Sequence, residues 1–463
     1  MGKFKGLTVL LAGTAATLVG YAPAAGQDTP GGLTLTFGIS SSIRVNDNFD
    51  LDSPSPGTTS LWDNRLSFGL LKESQLQTIS FNLEGVVRAS NFPGRSAELS
   101  FLDDTSADFA YARNLGNSRF EFGADYSNTD LDFLDPLSLI DDLDETDFII
   151  DDGRREILSA NLVFETGIDD PFGFLLELDH GKRNYSGTSD PGLFDTDTHG
   201  ISATGRLRFS PVLEGRLTAS YDKYDALDAD GTERITSSYN FGITYNVSPT
   251  TVIDATLGHQ EVEENLTAIP STSTESGVVG TFALTRELTN GIVGVSLESD
   301  ITTTGRRSSI ELNRALEFPT GSLEASIGAT RGAAGDTQAI GSIAYIHELP
   351  LGSISASASR SYSTSTLGND TRTTRAALGY TTQLGRLSGL ALDLGFSEVT
   401  DVGVGATDST TTGSFRATYT YELTEDWNLS TGFEHRIRDS DTIAQENSNE
   451  VFLTLERLFT IRR

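Results

Sequence analysis

Apolar and polar side chains alternate with a period of two almost without interruption from Leu33 onward, and no other feature restricts the fold as much. Leu33, Leu35, Phe37 and Ile39 interleave with Thr34, Thr36 and Ser40. Phe120, Phe122, Ala124 and Tyr126 interleave with Arg119, Glu121, Gly123 and Asp125, and Phe415, Ala417, Tyr419 and Tyr421 with Ser414, Arg416, Thr418 and Thr420. Successive side chains of a strand point to opposite faces, so each run is a strand with one apolar and one polar face. No helical period of comparable strength competes. The pattern specifies an all-β chain of about 22 strands, within the range of about 20 to 24.

The connections alternate between short and long. Tight turns fall at Leu115-Gly116-Asn117, Ser210-Pro211, Pro319-Thr320-Gly321 and Leu384-Gly385, while polar stretches 46–61, 128–154, 263–275 and 399–412 lie at the opposite end. Expected strands include 33–45, 62–73, 107–113, 276–287 and 449–461. A strand of about 11 residues, each rising about 3.3 Å and tilted by about 40°, crosses roughly 28 Å, the thickness of a thin membrane. These features describe a transmembrane antiparallel up-and-down β-barrel. Phe209, Tyr245, Tyr345, Tyr380, Tyr421, Phe172 and Trp427 fall on the apolar parity at the short-turn end, where an aromatic girdle is expected. Arg314 and Arg457 are the charges expected on that parity, both near the same rim.

Composition agrees. Only 37% of the 463 residues are hydrophobic, as suits a wall whose inner half is wet. The absence of Cys excludes disulfides and thiolate metal sites. A net charge of −32 argues against nucleic acid as a partner and favours cations, including divalent ions that bridge acidic loops to lipopolysaccharide phosphates. No other cofactor is expected. Lys3 and Lys5, the apolar run from Leu7 to Val19 and Ala22-Pro23-Ala24 read as a secretory signal peptide over 1–26, leaving 27–463 as one barrel.

The signal peptide, the barrel repeat and a last strand reading Val451-Phe452-Leu453-Thr454-Leu455-Glu456-Arg457-Leu458-Phe459 resemble bacterial porin-type outer-membrane barrels. The resemblance implies an outer-membrane location, surrounding lipid and lipopolysaccharide, and recognition of the last strand by the barrel-assembly machinery. Phe459 is followed by four residues ending in Arg462 and Arg463, a departure from the terminal aromatic of that family. The chain is also similar, less closely, to barrels that accompany exopolysaccharide export. Siderophore transporters have 22 strands as well, around an N-terminal plug domain. With the first strand at Leu33, about ten residues beyond the cleavage site, no such domain is expected.

Stretch 128–154 is the candidate constriction. It carries Asp130, Asp132, Asp135, Asp141 and Asp142, then Asp144, Glu145 and Asp147, interleaved with apolar residues such as Phe133 and Leu137. A loop in open water has little use for so many apolar side chains, so it is expected to fold into the lumen. The alternatives are a cap packed outside or a subunit contact. On the inward parity, Arg119, Glu121, Asp125, Arg183, Arg206, Arg208, Arg216 and Arg436 are the candidate pore-lining charges. They either set a transverse field across the pore or pair with charges on neighbouring strands. Strands between about 321 and 381 instead present Ser and Thr inward.

His180, His199, His259, His347 and His435 all take the outward parity, so no nucleophile–base set converges on one pocket and no enzyme activity is expected. His180 and His199 flank one hairpin and can meet across it, but no metal site is expected there, because contact with lipopolysaccharide headgroups accounts for rim histidines more simply. Asn48-Phe49-Asp50-Leu51-Asp52 and Asp228-Ala229-Asp230-Gly231 echo calcium loops without the full spacing and read as acidic turns. The expected function is passive passage of small hydrophilic solutes, with cations preferred. A polysaccharide export outlet and a non-conducting structural or adhesive barrel are the alternatives.

Overall fold

The computed structural model describes residues 32–135, 137, 151–268, 270–333, 335–364, 370–402, 409–441 and 443–462. The signal peptide and the acids Asp141, Asp142, Asp144, Glu145 and Asp147 lie outside the described residues.

Twenty-two strands follow one another in the order Gly32–Asn46 (β1), Thr59–Glu73 (β2), Gln77–Asn91 (β3), Glu98–Leu115 (β4), Ser118–Asp130 (β5), Arg154–Thr166 (β6), Phe172–Ser186 (β7) and Thr196–Ser210 (β8). Leu213–Ala226 (β9), Thr232–Ser248 (β10), Thr251–Leu266 (β11), Ser271–Leu288 (β12), Gly291–Thr302 (β13), Gly305–Phe318 (β14) and Gly321–Arg331 (β15) come next. Thr337–Leu349 (β16), Gly352–Thr364 (β17), Asp370–Gly385 (β18), Ser388–Asp401 (β19), Ser409–Glu422 (β20), Trp427–Ser440 (β21) and Ile443–Arg462 (β22) complete the set. Each strand pairs antiparallel with its neighbours in sequence. β1 and β22 close the ring, from Thr34↔Arg462 to Asn46↔Glu450. Closure leaves no sheet edge, as a wall in lipid requires.

The register turns the alternation into two surfaces. Phe37, Phe68 and Phe81 make a row of rings on the outside, with centroids 5.2 and 6.3 Å apart. Leu217, Leu257 and Ile327 are likewise outward and exposed, the signature of a wall whose outer solvent is hydrocarbon. Phe172, Phe209, Tyr245 and Tyr421 are exposed at the short-turn ends, as the girdle requires. Arg457 lies over Trp427 and Phe459, 5.3 and 4.2 Å from their centroids, and reaches Asp426 at 3.3 Å. Arg314 bonds Ile292 O and Asn290 Oδ1 at the same rim.

Three details depart from the sequence reading. Lys72, Arg113 and Arg286 also take the outward register near the short-turn rim, so Arg314 and Arg457 are not alone. Residues at an interface reach headgroups and water, which removes the cost of such charges. The strands overrun their expected ends: stretch 263–275 is mostly β11 and β12, which pair out to Leu266↔Ser271. Above the membrane both faces are wet, so the pattern fades while the ladder continues. β4 begins at Glu98 rather than 107, and its register with β3 shifts on both sides of Val86. Leu102 and Asp104 there have φ of 61° and 46°. Extra residues of this kind break strict alternation, which hid the strand's first half.

Candidate lumen constriction

The outer mouth is narrowed on one side by segments that follow β1, β3 and β5. After β1, Asn48 bonds Asn447 O with its side-chain amide, and Phe49 and Leu51 are 3% and 0% exposed. This segment is therefore an inward-folded cover rather than an ordinary acidic turn. Burial of two apolar side chains inside a polar ring drives it. The Asp228–Gly231 segment, by contrast, is a plain turn in which Asp228 accepts from Thr232 N and Oγ1.

Three phenylalanines, one from each segment, join the cover into a chain. Phe49 meets Phe92 edge-on at 5.9 Å, and Phe92 meets Phe133 at 5.7 Å. Arginines clamp both ends and the middle. The Arg88 guanidinium lies 4.1 Å from the Phe133 centroid, Arg95 lies 5.4 Å from Phe92, and Arg436 lies 6.0 Å from Phe49. Such contacts contribute on the order of 0.5–2 kcal/mol each, more where water is excluded.

Carboxylates fix the arginines. Arg88, on the inner face of β3, reaches Asp63 on β2 and Asp104 on β4, both at 2.6 Å. The irregular start of β4 is what brings Asp104 to that position. Asp63 also takes Arg44 at 2.8 Å. Arg436, on the inner face of β21, binds Asp135 at 2.7 Å and donates to Phe49 O at 3.2 Å. Its neighbour Arg438 pairs with Glu446 at 2.7 Å, both nearly buried. The Arg436–Asp135 contact joins opposite ends of the arc from β21 round to β5.

Asp130 and Asp132 belong to the same group. Asp130 caps the short 3-10 turn Leu131–Phe133 by accepting from Asp132 N. Asp132 shares Arg95 with Asp152, each at 3.3 Å. Burial, then the adjoining Asp152 carboxylate, pushes Asp132 up to about 6 against the pull of Arg95. Burial and Asp52 likewise raise Asp50.

The remaining sequence candidates lie elsewhere. Arg119 contacts Glu121 and Glu165 at 3.5 and 3.3 Å, and Arg206 reaches the same Glu165 at 2.6 Å, in the half towards the short turns. Arg208 pairs with Glu214 at 2.9 Å. Arg216 spans from β9 to β11, where its Nη1 meets Asp254 at 2.7 Å. It crosses Gly242 on β10, where an added Cβ would lie 2.6 Å from Arg216 Nε. Asp125 accepts from Ser159 at 3.3 Å, and Arg183 is half-buried on β7. These pairs run along the wall between near neighbours and do not face one another across the pore. The ion pairs of Arg119, Arg206, Arg208 and Arg216 are thus local to the wall. From β15 to β18 the inner face carries hydroxyl pairs, Ser326–Ser342 and Ser353–Thr381, each at 2.9 Å.

Sequence reasoning missed Asp63, Asp104, Phe49 and Phe92 as partners. Asp63 could have been found from its inward parity. Asp104 could not, because the break in alternation precedes it.

A closed 22-stranded wall with an apolar outside and a polar, ion-paired inside defines a bacterial outer-membrane β-barrel. No protein-family model matches the chain, and no curated protein matches it in sequence. Solved structures do share the fold. The siderophore receptor PiuA from Acinetobacter baumannii aligns with a TM-score of 0.59 at 12% identity, over 92% of this chain and 82% of that one. The ferric-catecholate import receptor Fiu from E. coli K12 aligns with 0.58 at 11%, over 93% and 82%. The FrpB iron transporter from Neisseria meningitidis (F5-1 variant) aligns with 0.56 at 10%, over 94% and 83%. At this identity the likeness is one of fold.

Proposed function

We propose that the barrel is a channel for small hydrophilic solutes across the outer membrane, entered past the Arg–Phe cover and preferring cations at its acidic mouth. The observation that carries this reading is the wetness of the inner wall. The Arg65 and Arg416 side chains are 53% and 43% exposed on the lumen face, while the cover occupies one arc of the mouth. Charged and polar side chains that line a lumen lower the cost of moving ions along it. The similar barrels named above are an iron transporter, an import receptor and a siderophore receptor, which supports a role as a conduit. With the five histidines on the outward register, the reading assigns no catalysis.

Purified barrel in planar bilayers tests this directly. A steady conductance whose reversal potential in a KCl gradient shows cation preference is expected, and a silent barrel would refute it. The hydroxyl-lined arc from β15 to β18 favours a second reading, an outlet for a polysaccharide that slides on hydroxyls. A silent barrel whose deletion removes surface polysaccharide would support it. Silence with no export defect would leave a structural or adhesive barrel.

A further inference from the structure

We propose that His180, Asp197 and His199 form a binding site for a divalent transition-metal ion on the outside of the barrel, at its outer rim. The register sets His180 on β7 directly opposite His199 on β8, with Asp197 two residues along β8 on the same face. Directly opposed strand residues hold their Cβ atoms about 5 Å apart, close enough for two imidazoles to share one ion.

The side chains converge accordingly. The two rings stack at 4.7 Å with an interplanar angle of 19°, and their Nδ1 atoms are 3.1 Å apart. Asp197 Oδ1 lies 3.5 Å from His180 Nδ1 and 3.0 Å from His199 Nε2. One ligand atom from each residue falls within 4.8 Å of the others. A zinc ion about 2.0–2.2 Å from each of three tetrahedral donors holds them on the order of 3.3 Å apart. The ligand atoms thus need only ring rotations to close on an ion.

A second observation points the same way. Asp197 Oδ1 is withdrawn from solvent and makes no hydrogen bond among the described residues, although two ring nitrogens surround it. A buried carboxylate oxygen 3.0 and 3.5 Å from two ring nitrogens is placed to share one cation with them. The nearby ammonium of Lys223, which opposes His199 from β9, is turned to Asp225 and Glu233 at 3.0 and 3.6 Å. Lys182 opposes Asp197 from β7. Two imidazoles and one carboxylate select zinc, nickel or copper(II) over calcium or magnesium, and leave further coordination positions open to the rim.

The test uses the full barrel in detergent micelles, titrated with Zn²⁺ against a chromophoric chelator and with Cu²⁺ read by electron paramagnetic resonance. One Zn²⁺ per chain is expected, with at least tenfold weaker binding in His180→Ala, His199→Ala and Asp197→Asn. The control His259→Ala, another outward histidine, is expected to bind as the parent does. The copper spectrum is expected to show nitrogen donors in the parent and to lose them in His199→Ala. Heat-modifiable gel mobility confirms that each variant is a folded barrel. Should a variant misfold, the parent copper spectrum still decides, because oxygen donors alone overturn the proposal. Unchanged Zn²⁺ binding in folded His180→Ala, or no saturable binding, overturns it as well.

Discussion

Arg88 is 3% exposed and touches Asp63, Asp104 and the Phe133 ring at once, so one end of the cover rests on this buried guanidinium. Its Nη1 is buried and makes no hydrogen bond among the described residues. Replacing it with alanine leaves Asp63 with Arg44 alone and takes the guanidinium from Asp104 in a poorly solvated place, at a cost of roughly 3 kcal/mol. Arg88→Ala is therefore expected to lower the denaturant midpoint of the folded barrel and to raise single-channel conductance. Arg88→Lys keeps the charge but loses the planar fork that reaches both acids, so it restores only part of either property. Equal midpoints for parent and Arg88→Ala would contradict the structural account. Arg88 was legible as an inward residue from its parity. Of its partners, Asp63 was legible in the same way, whereas Asp104 and Phe133 were not, because Asp104 follows a break in the alternation and Phe133 is distant in sequence.

At the scale of elements, the segment after β5 is held by Phe133 and by two arginine–carboxylate ties. Asp135 binds Arg436 across the arc, and Asp132 shares Arg95 with Asp152. Asp135→Asn weakens the first tie without removing bulk, and is expected to increase conductance fluctuations while leaving the barrel folded. The second tie titrates. The Asp132 carboxyl stands at about 6 when folded, against an ordinary value of 3.8. The folded segment therefore binds a proton more tightly than the unfolded one, gains stability as pH falls from 6 towards 3.8, and loses that gain as pH rises through 6. Conductance is expected to be lower at pH 5 than at pH 7.5, and Asp132→Asn to flatten the difference. The apolar content of stretch 128–154 marked it as more than a loop in water, and Phe133 does pack on Phe92 and Arg88. The inward fold of Phe49 and Leu51 was hidden by the acids Asp47, Asp50 and Asp52 around them, which suggested a turn in water.

For the molecule as a whole, the two faces of the wall obey different solvents, and a single substitution can read which is which. Leu257 is outward and 64% exposed part-way along β11, while its neighbour Thr256 points inward and meets Thr281 Oγ1 at 2.7 Å. Leu257→Arg places a charge in hydrocarbon and is expected to cost about 2–4 kcal/mol in vesicle unfolding, whereas Thr256→Arg falls in the wet lumen and costs little. Similar costs at both positions would overturn the assignment of faces. The sequence alone determined the strands, their approximate number, the closed architecture and which side chains see lipid, because the strand's period of two writes solvent exposure directly into residue order. Only the tertiary structure decided which charges neutralise each other, that three outer segments meet as one cover, and that His180, Asp197 and His199 converge. Those contacts depend on register, on the irregular start of β4 and on loop paths. These arise when the ring closes and set distances between residues far apart in the chain, which no local pattern records.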